Sequence, residues 1–194
     1  MRTSLISFLA IMGCLLSGCV NLKPKPDLTQ HFVLGPILPE APDTSLARGN
    51  GVYVARPQLP AYWETNRLVY RGEDGSLLEI SNARWAEPQP QGIARAVAEY
   101  LNAGGGGRAY GFYPWQKPDQ ELPEVRVSFQ RIEAYADGRF VLSASWQTKD
   151  GERVIGQGTF TSVERTWTVG DSASYIEALN RSIEALATEI SQQI

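Results

Sequence analysis

The sequence is poor in the side chains that do chemistry. One histidine, His31, stands in 194 residues, so a two-histidine metal site is excluded. Two cysteines, Cys14 and Cys19, are too few for a cysteine cluster. There is no Gly-x-Ser-x-Gly elbow and no phosphate loop. The four glycines at 104–107 have neither the spacing nor the preceding strand of a dinucleotide motif. Neighbouring carboxylates, Glu73 with Asp74 and Asp119 with Glu121, fall in apparent loops and read as solvated turn residues. The expectation is therefore no catalytic residue, no metal ligand, no dissociable cofactor and no enzyme. A net charge of −3 lacks the basic excess that nucleic acid demands. No apolar run reaches the roughly 20 residues needed to span a bilayer.

What is present begins at the N-terminus. Arg2 supplies a positive n-region, and residues 5–16 are apolar apart from Ser7 and Gly13, the length of a signal h-region. Leu16-Ser17-Gly18-Cys19 follows at once. Small residues before the cut let the chain lie extended in a peptidase groove, and the Cys19 thiol is the nucleophile that takes up a diacylglyceryl group. This pattern is the bacterial lipobox, with cleavage expected between Gly18 and Cys19. Residues 1–18 are read as signal peptide and 19–30 as the acylated cysteine with its tether, where Lys23-Pro24-Lys25-Pro26-Asp27 favours an extended chain. Residues 31–194 are read as one folded domain. Cys14 leaves with the signal and Cys19 is acylated, so neither a free thiol nor a disulfide is expected in the mature chain. Two or three acyl chains give a stable anchor where one is marginal.

The domain reads as α+β, a mainly antiparallel sheet with two principal helices. Short strands are expected over 31–34, 51–55, 68–71 and 77–80, the last two joined by Gly72-Glu73-Asp74-Gly75. Ile93, Val97 and Leu101 give one apolar stripe to a helix opening near Pro90 and stopping at the glycine run. Another strand is expected over 110–115. Val125, Val127 and Phe129 alternate, as do Phe140, Leu142, Ala144 and Trp146. With Asp137-Gly138 and Asp150-Gly151 as turns and a third run over 153–164, they make a three-stranded meander. The alternation fails between Phe129 and Ile132, so a bulge is expected near Gln130 or Arg131. A terminal helix capped by Asp171 or Ser172 carries Ile176, Leu179, Ile183, Leu186 and Ile190, facing either the sheet or a partner helix. Trp63, Trp115 and Trp167 sit beside loops, as core caps or as a sticky rim.

Arg84-Trp85-Ala86-Glu87-Pro88 runs directly into the first helix. A carboxylate there meets the positive dipole end and unpaired N–H groups. Arg84 is close enough in sequence to pair with Glu87, and Trp85 would pin the helix start to the sheet. The motif is a fold-specific corner or a partner-binding site. With the upstream segments 54–62 and 66–71 and the lipobox, it resembles the PqiC (YmbA-like) family of ABC-type and MCE-type transport auxiliary lipoproteins. The likeness runs through essentially the whole chain, and Gln89 stands where members commonly have Leu. The resemblance implies an outer-membrane lipoprotein facing the periplasm, since Val20 replaces the aspartate of inner-membrane retention. It implies docking of an MCE-domain inner-membrane protein's periplasmic tube, support of envelope integrity, and a homo-oligomer, in one form a ring. The rival expectations are a periplasmic lipid carrier and an assembly lipoprotein of another envelope complex.

Overall fold

A computed structural model describes residues 26–36, 51–103, 109–115 and 122–194. The signal segment, Cys19, the glycine run at 104–107, Asp119 and Glu121 lie outside the described residues. Among the described residues, nine strands and two α-helices form a single α+β domain. The strands are β1 (Gln30–Phe32), β2 (Val52–Val54), β3 (Arg67–Arg71), β4 (Leu77–Trp85), β5 (Ala109–Phe112), β6 (Glu124–Ala134), β7 (Arg139–Asp150), β8 (Arg153–Thr161) and β9 (Arg165–Thr166). The helices are α1 (Gln89–Leu101) and α2 (Ser172–Ser191).

The strands divide into two sheets. A small sheet has the order β1-β4-β3, and a large one the order β5-β2-β6-β7-β8, with β9 also on β7. The long strands pair antiparallel as expected. The three-residue strands do not: β1 lies parallel to β4, and β2 lies parallel to both β5 and β6. The strand expected over 31–34 ends at Phe32, and the one expected over 110–115 ends before Pro114, whose missing N–H cannot continue a ladder.

In the meander, Val125, Val127 and Phe129 of β6 and Phe140, Leu142, Ala144 and Trp146 of β7 are buried beneath the helices. The register shifts between Phe129 and Arg131, at the expected bulge, and returns Ile132 and Ala134 to the core. A further bulge separates β8 from β9, since Thr161 faces Ser143 while Arg165 faces Phe140. Just inside it the Ser162 N–H donates to the Leu142 carbonyl (2.8 Å), and the Leu142 N–H donates to Ser162 Oγ (3.0 Å). The hydroxyl there replaces the backbone acceptor that the bulge displaces.

Helix α2 opens on Asp171, whose carboxylate accepts from the N–H groups of Ala173 (3.3 Å) and Ser174 (3.0 Å). Its stripe of Leu179, Ile183, Leu186 and Ile190 is buried within the domain, so no seam is left for a partner helix. Ile176 is only partly buried, and Tyr175 takes the inward place at that turn.

The sheets meet where Arg71 of β3 bridges to Tyr135, with the Ala136 N–H donating to the Arg71 carbonyl (2.9 Å). Here Glu133 accepts from Arg71 Nη2 (2.6 Å) and from the Tyr135 hydroxyl, with Arg131 Nε 3.4 Å away. Burial works to raise the Glu133 pKa. The Tyr135 and Arg71 hydrogen bonds and the charges of Arg71 and Arg131 outweigh it, holding the carboxyl below its ordinary value. A lowered folded-state pKa contributes stability above the unfolded value, about 4.3, that is lost as pH falls through the folded one. A Glu133→Gln variant should therefore melt below wild type at pH 7 and converge with it near pH 3. A constant gap in a pH series of melting curves would assign the effect to packing instead.

Candidate functional site: the corner at the start of α1

The motif residues gather where β4 turns into α1. The Trp85 N–H donates to the Asn66 carbonyl (2.9 Å) and the Ala86 N–H to the Phe32 carbonyl (2.9 Å), so the strand end is held from both sides. The buried Trp85 ring lies 5.4 Å from the Trp63 ring at 43°. Pro88 is the N-cap, and its carbonyl accepts from Gln91 and Gly92, both at 3.0 Å.

Glu87 does not pair with Arg84. Side chains alternate along β4, and Arg84, between buried Ala83 and Trp85, bends back to donate to the Ala83 carbonyl (2.7 Å). The partner of Glu87 is Arg95, two turns along α1 (Nη2 to Oε1, 2.6 Å). Arg95 also donates to the Leu34 carbonyl (2.8 Å) and to both oxygens of Glu99 (2.9 and 3.0 Å). Glu87 passes close over Gly92, where a Cβ would lie 3.1 Å from Glu87 Oε1. The next residue after Leu34, Gly35, donates its N–H to Asn180 Oδ1 of α2 (2.9 Å). One guanidinium thus latches the chain leaving β1 to the start of α1, and α2 completes the clasp.

Outside the latch the motif borders an open depression of about 530 Å³, whose walls include Arg56, Asn66, Trp85, Pro88, Gln89 and Tyr113. Gln89 is 7 % exposed, and its Nε2 has no hydrogen-bond partner among the described residues. Arg56 lies over the Tyr113 ring (5.8 Å) and forms no ion pair among the described residues. It also borders a broader concavity of about 910 Å³ over the solvent face of the large sheet, floored by Ser128, Ser145, Gln147, Gln157 and Thr159. The loop tryptophans divide: Trp63 and Trp167 are buried, the latter donating Nε1 to the Tyr135 carbonyl (3.0 Å), and Trp115 is 65 % exposed. Asp74 is a turn residue, accepting from the N–H (3.0 Å) and hydroxyl (2.6 Å) of Ser76. The described residues bring together no group of three His, Cys, Asp or Glu able to hold a metal ion, and none of their helices is long and apolar enough to cross a membrane.

Sequence reasoning gave no site role to Arg95, Arg56, Gln89 or Tyr113. Only Arg95 carried a signal, its i,i+4 spacing to Glu99.

Fold and corner together define an α+β domain whose polar constellations fasten segments and line open surfaces. The family model for ABC-type transport auxiliary lipoprotein components matches residues 32–191, and the chain belongs to that family. Among the solved structures similar to it, two share its fold over most of the chain. An uncharacterized protein aligns at a TM-score of 0.65 with 17% identity, over 84% of this chain and 97% of that one. The XCC0632 protein from Xanthomonas campestris aligns at 0.58 with 18% identity, over 84% and 90%. No curated protein matches the sequence. Membership makes the chain a transport auxiliary lipoprotein; the family is described by that role and not by a reaction.

Proposed function

We propose that this protein is the outer-membrane lipoprotein of an MCE-type intermembrane lipid transport system. Acylated at Cys19, it holds the end of an MCE-domain protein's periplasmic tube at the outer membrane as a homo-oligomer, and so supports envelope integrity. The observation that carries the reading is the family match beginning at residue 32, close behind a lipobox that ends at Cys19.

Chain direction supports it. Six residues lie between Cys19 and Pro26, the first described, a reach of about 20 Å at roughly 3 Å per residue step. β1 runs parallel to β4 and pairs with its last three residues, Ala83 to Trp85, so it points toward the α1 start. In this reading Trp85, the α1 start and the Arg56 depression, toward which β1 runs, are offered to a partner arriving across the periplasm.

The test is a pull-down with the full-length protein expressed in its own envelope, beside a Cys19→Ala variant. Wild type should fractionate with the outer membrane and enrich an MCE-domain protein as its main partner. The variant should leave the membrane fraction and lose at least nine-tenths of that partner. A folded wild-type bait that enriches other envelope proteins and no MCE-domain protein would sink the reading.

A further inference from the structure

The ladder parity of the large sheet exposes a row of backbone groups. Ser162 donates to the carbonyl of Leu142, the residue directly opposite it, which makes that pair a hydrogen-bonded one. In an antiparallel ladder such pairs alternate with pairs whose N–H and C=O groups point away from each other. Counting back, Phe160 opposite Ala144 and Gly158 opposite Trp146 bond inward, while Thr161, Thr159 and Gln157 turn their N–H and C=O groups outward. Strand β8 is the edge of its sheet, and no strand or loop backbone among the described residues bonds to that side.

Edges of this kind are ordinarily blunted by Lys, Pro or inward charge. Residues 154–162 contain no charged residue and no proline. Val154, Ile155 and Val163 are exposed along the same edge. Register shifts bound the open stretch at both ends, at Thr148/Lys149 on one side and between Thr161 and Arg165 on the other. Bulges bend and twist a strand, so two folded edges brought together here would diverge beyond a window of about five residues. A window that short falls well below the roughly 1,200–2,000 Å² that a stable pair of domains buries. It suits a single extended segment, which gains affinity from main-chain bonds.

We propose that the outer edge of β8 takes up an extended strand from the protein partner, with the outward groups of Gln157, Thr159 and Thr161 as the hydrogen-bonding row. This rests on the docking reading above and names the mode of attachment. The incoming strand is uncharged and alternating. One row continues the polar face of Gln157 and Thr159. The other lies beside Phe160 and is apolar. On the core face the strand makes room for its cover, since a Cβ at Gly158 would fall 2.9 Å from Trp146 Nε1 and one at Gly156 2.9 Å from the Gln193 carbonyl.

Two variants test it in the full-length protein. Thr159→Pro removes one outward donor and leaves the bonds to β7, a placement that edge strands tolerate. Thr159→Lys leaves the backbone free and adds the charge that guards natural edges. Both should cut recovery of the MCE-domain partner at least tenfold, the Lys variant with its melting temperature within a few degrees of wild type. Hydrogen exchange at 157, 159 and 161 should slow at least tenfold in the wild-type complex. If wild type captures the partner and both variants retain it, or if those amides exchange unchanged, the edge is not the attachment and docking stands. If wild type captures no MCE-domain partner, the docking reading fails by itself. The edge is then judged with an acetylated, amidated Thr-Val-Thr-Val-Thr peptide, which should protect the same amides in wild type and not in Thr159→Lys. No protection would overturn the proposal. A wild-type dimer that Thr159→Lys dissociates would assign the edge to a second copy, and would also overturn it.

Discussion

A Trp85→Ala variant should lose about 3–5 kcal/mol of stability, the usual cost of deleting a buried tryptophan side chain. In a domain of this size that lowers the melting temperature by roughly 10–15 °C. The ring is buried against Trp63, and the Trp85 backbone holds the end of β4 to Asn66. A cavity there sits beneath the turn that presents Glu87 to Arg95, so the latch on Leu34 loosens with it. Arg56→Ala makes the comparison informative. Arg56 is exposed and forms no ion pair among the described residues, so its loss should move stability by less than about 0.5 kcal/mol. Thermal melting and partner recovery of the two variants separate the roles of the motif. A Trp85→Ala protein that melts early and recovers its partner when assayed well below its midpoint marks a structural corner. One that melts like wild type and loses the partner marks a docking surface, and would overturn the expectation stated here.

The contrast between Glu87 and the meander shows what one sequence can reveal. Alternation of period two, broken between Phe129 and Ile132 and bounded by Asp-Gly turns, carries its own register, and the observed shift falls there. The stripe of α2 is legible for the same reason: its period is local. The partner of Glu87 is not. Proximity in sequence pointed to Arg84, but a strand alternates its faces and leaves Arg84 beside a different wall, while two helical turns bring Arg95 back over the helix start. The parallel pairing of β1 with β4 joins three-residue segments about fifty residues apart, a separation that leaves no trace in composition or period. Gln89 entered the sequence reading only as the residue standing where family members commonly have Leu, and its burial depends on walls supplied from Arg56, Asn66 and Tyr113. The open edge of β8 was half legible. Its lack of charge could be read in the sequence, but the outward groups needed the ladder parity that Ser162 and Leu142 establish.

The second large effect is expected at Tyr175, the residue through which α2 holds both sheets. Its ring is fully buried and meets Phe140 of the large sheet edge-on (5.6 Å, 89°) and Trp167 likewise (5.7 Å, 86°). Trp167 in turn meets Tyr70 of the small sheet (5.3 Å, 63°), and the Tyr175 hydroxyl donates to the Val69 carbonyl (3.2 Å). Burial pushes the Tyr175 pKa upward, so the phenol is protonated and a donor at neutral pH. Two contributions are therefore separable. Tyr175→Phe removes the donor, keeps the ring and leaves the Val69 carbonyl short of a partner, at about 1–2 kcal/mol. Tyr175→Ala also empties the ring site, at about 3–5 kcal/mol in all. The signature beyond the midpoint lies in where exchange accelerates. If the cluster couples the sheets, amides of β3 and β4 should exchange at least tenfold faster in Tyr175→Ala while the β6–β7 ladder stays protected. The small sheet has its remaining ties at Arg71, Glu133 and the Arg95 latch. Uniform acceleration across both sheets would mean that the domain opens as one unit. A Tyr175→Ala midpoint within 2 °C of wild type on the ~10 °C scale expected would show that the cluster does not hold the sheets together.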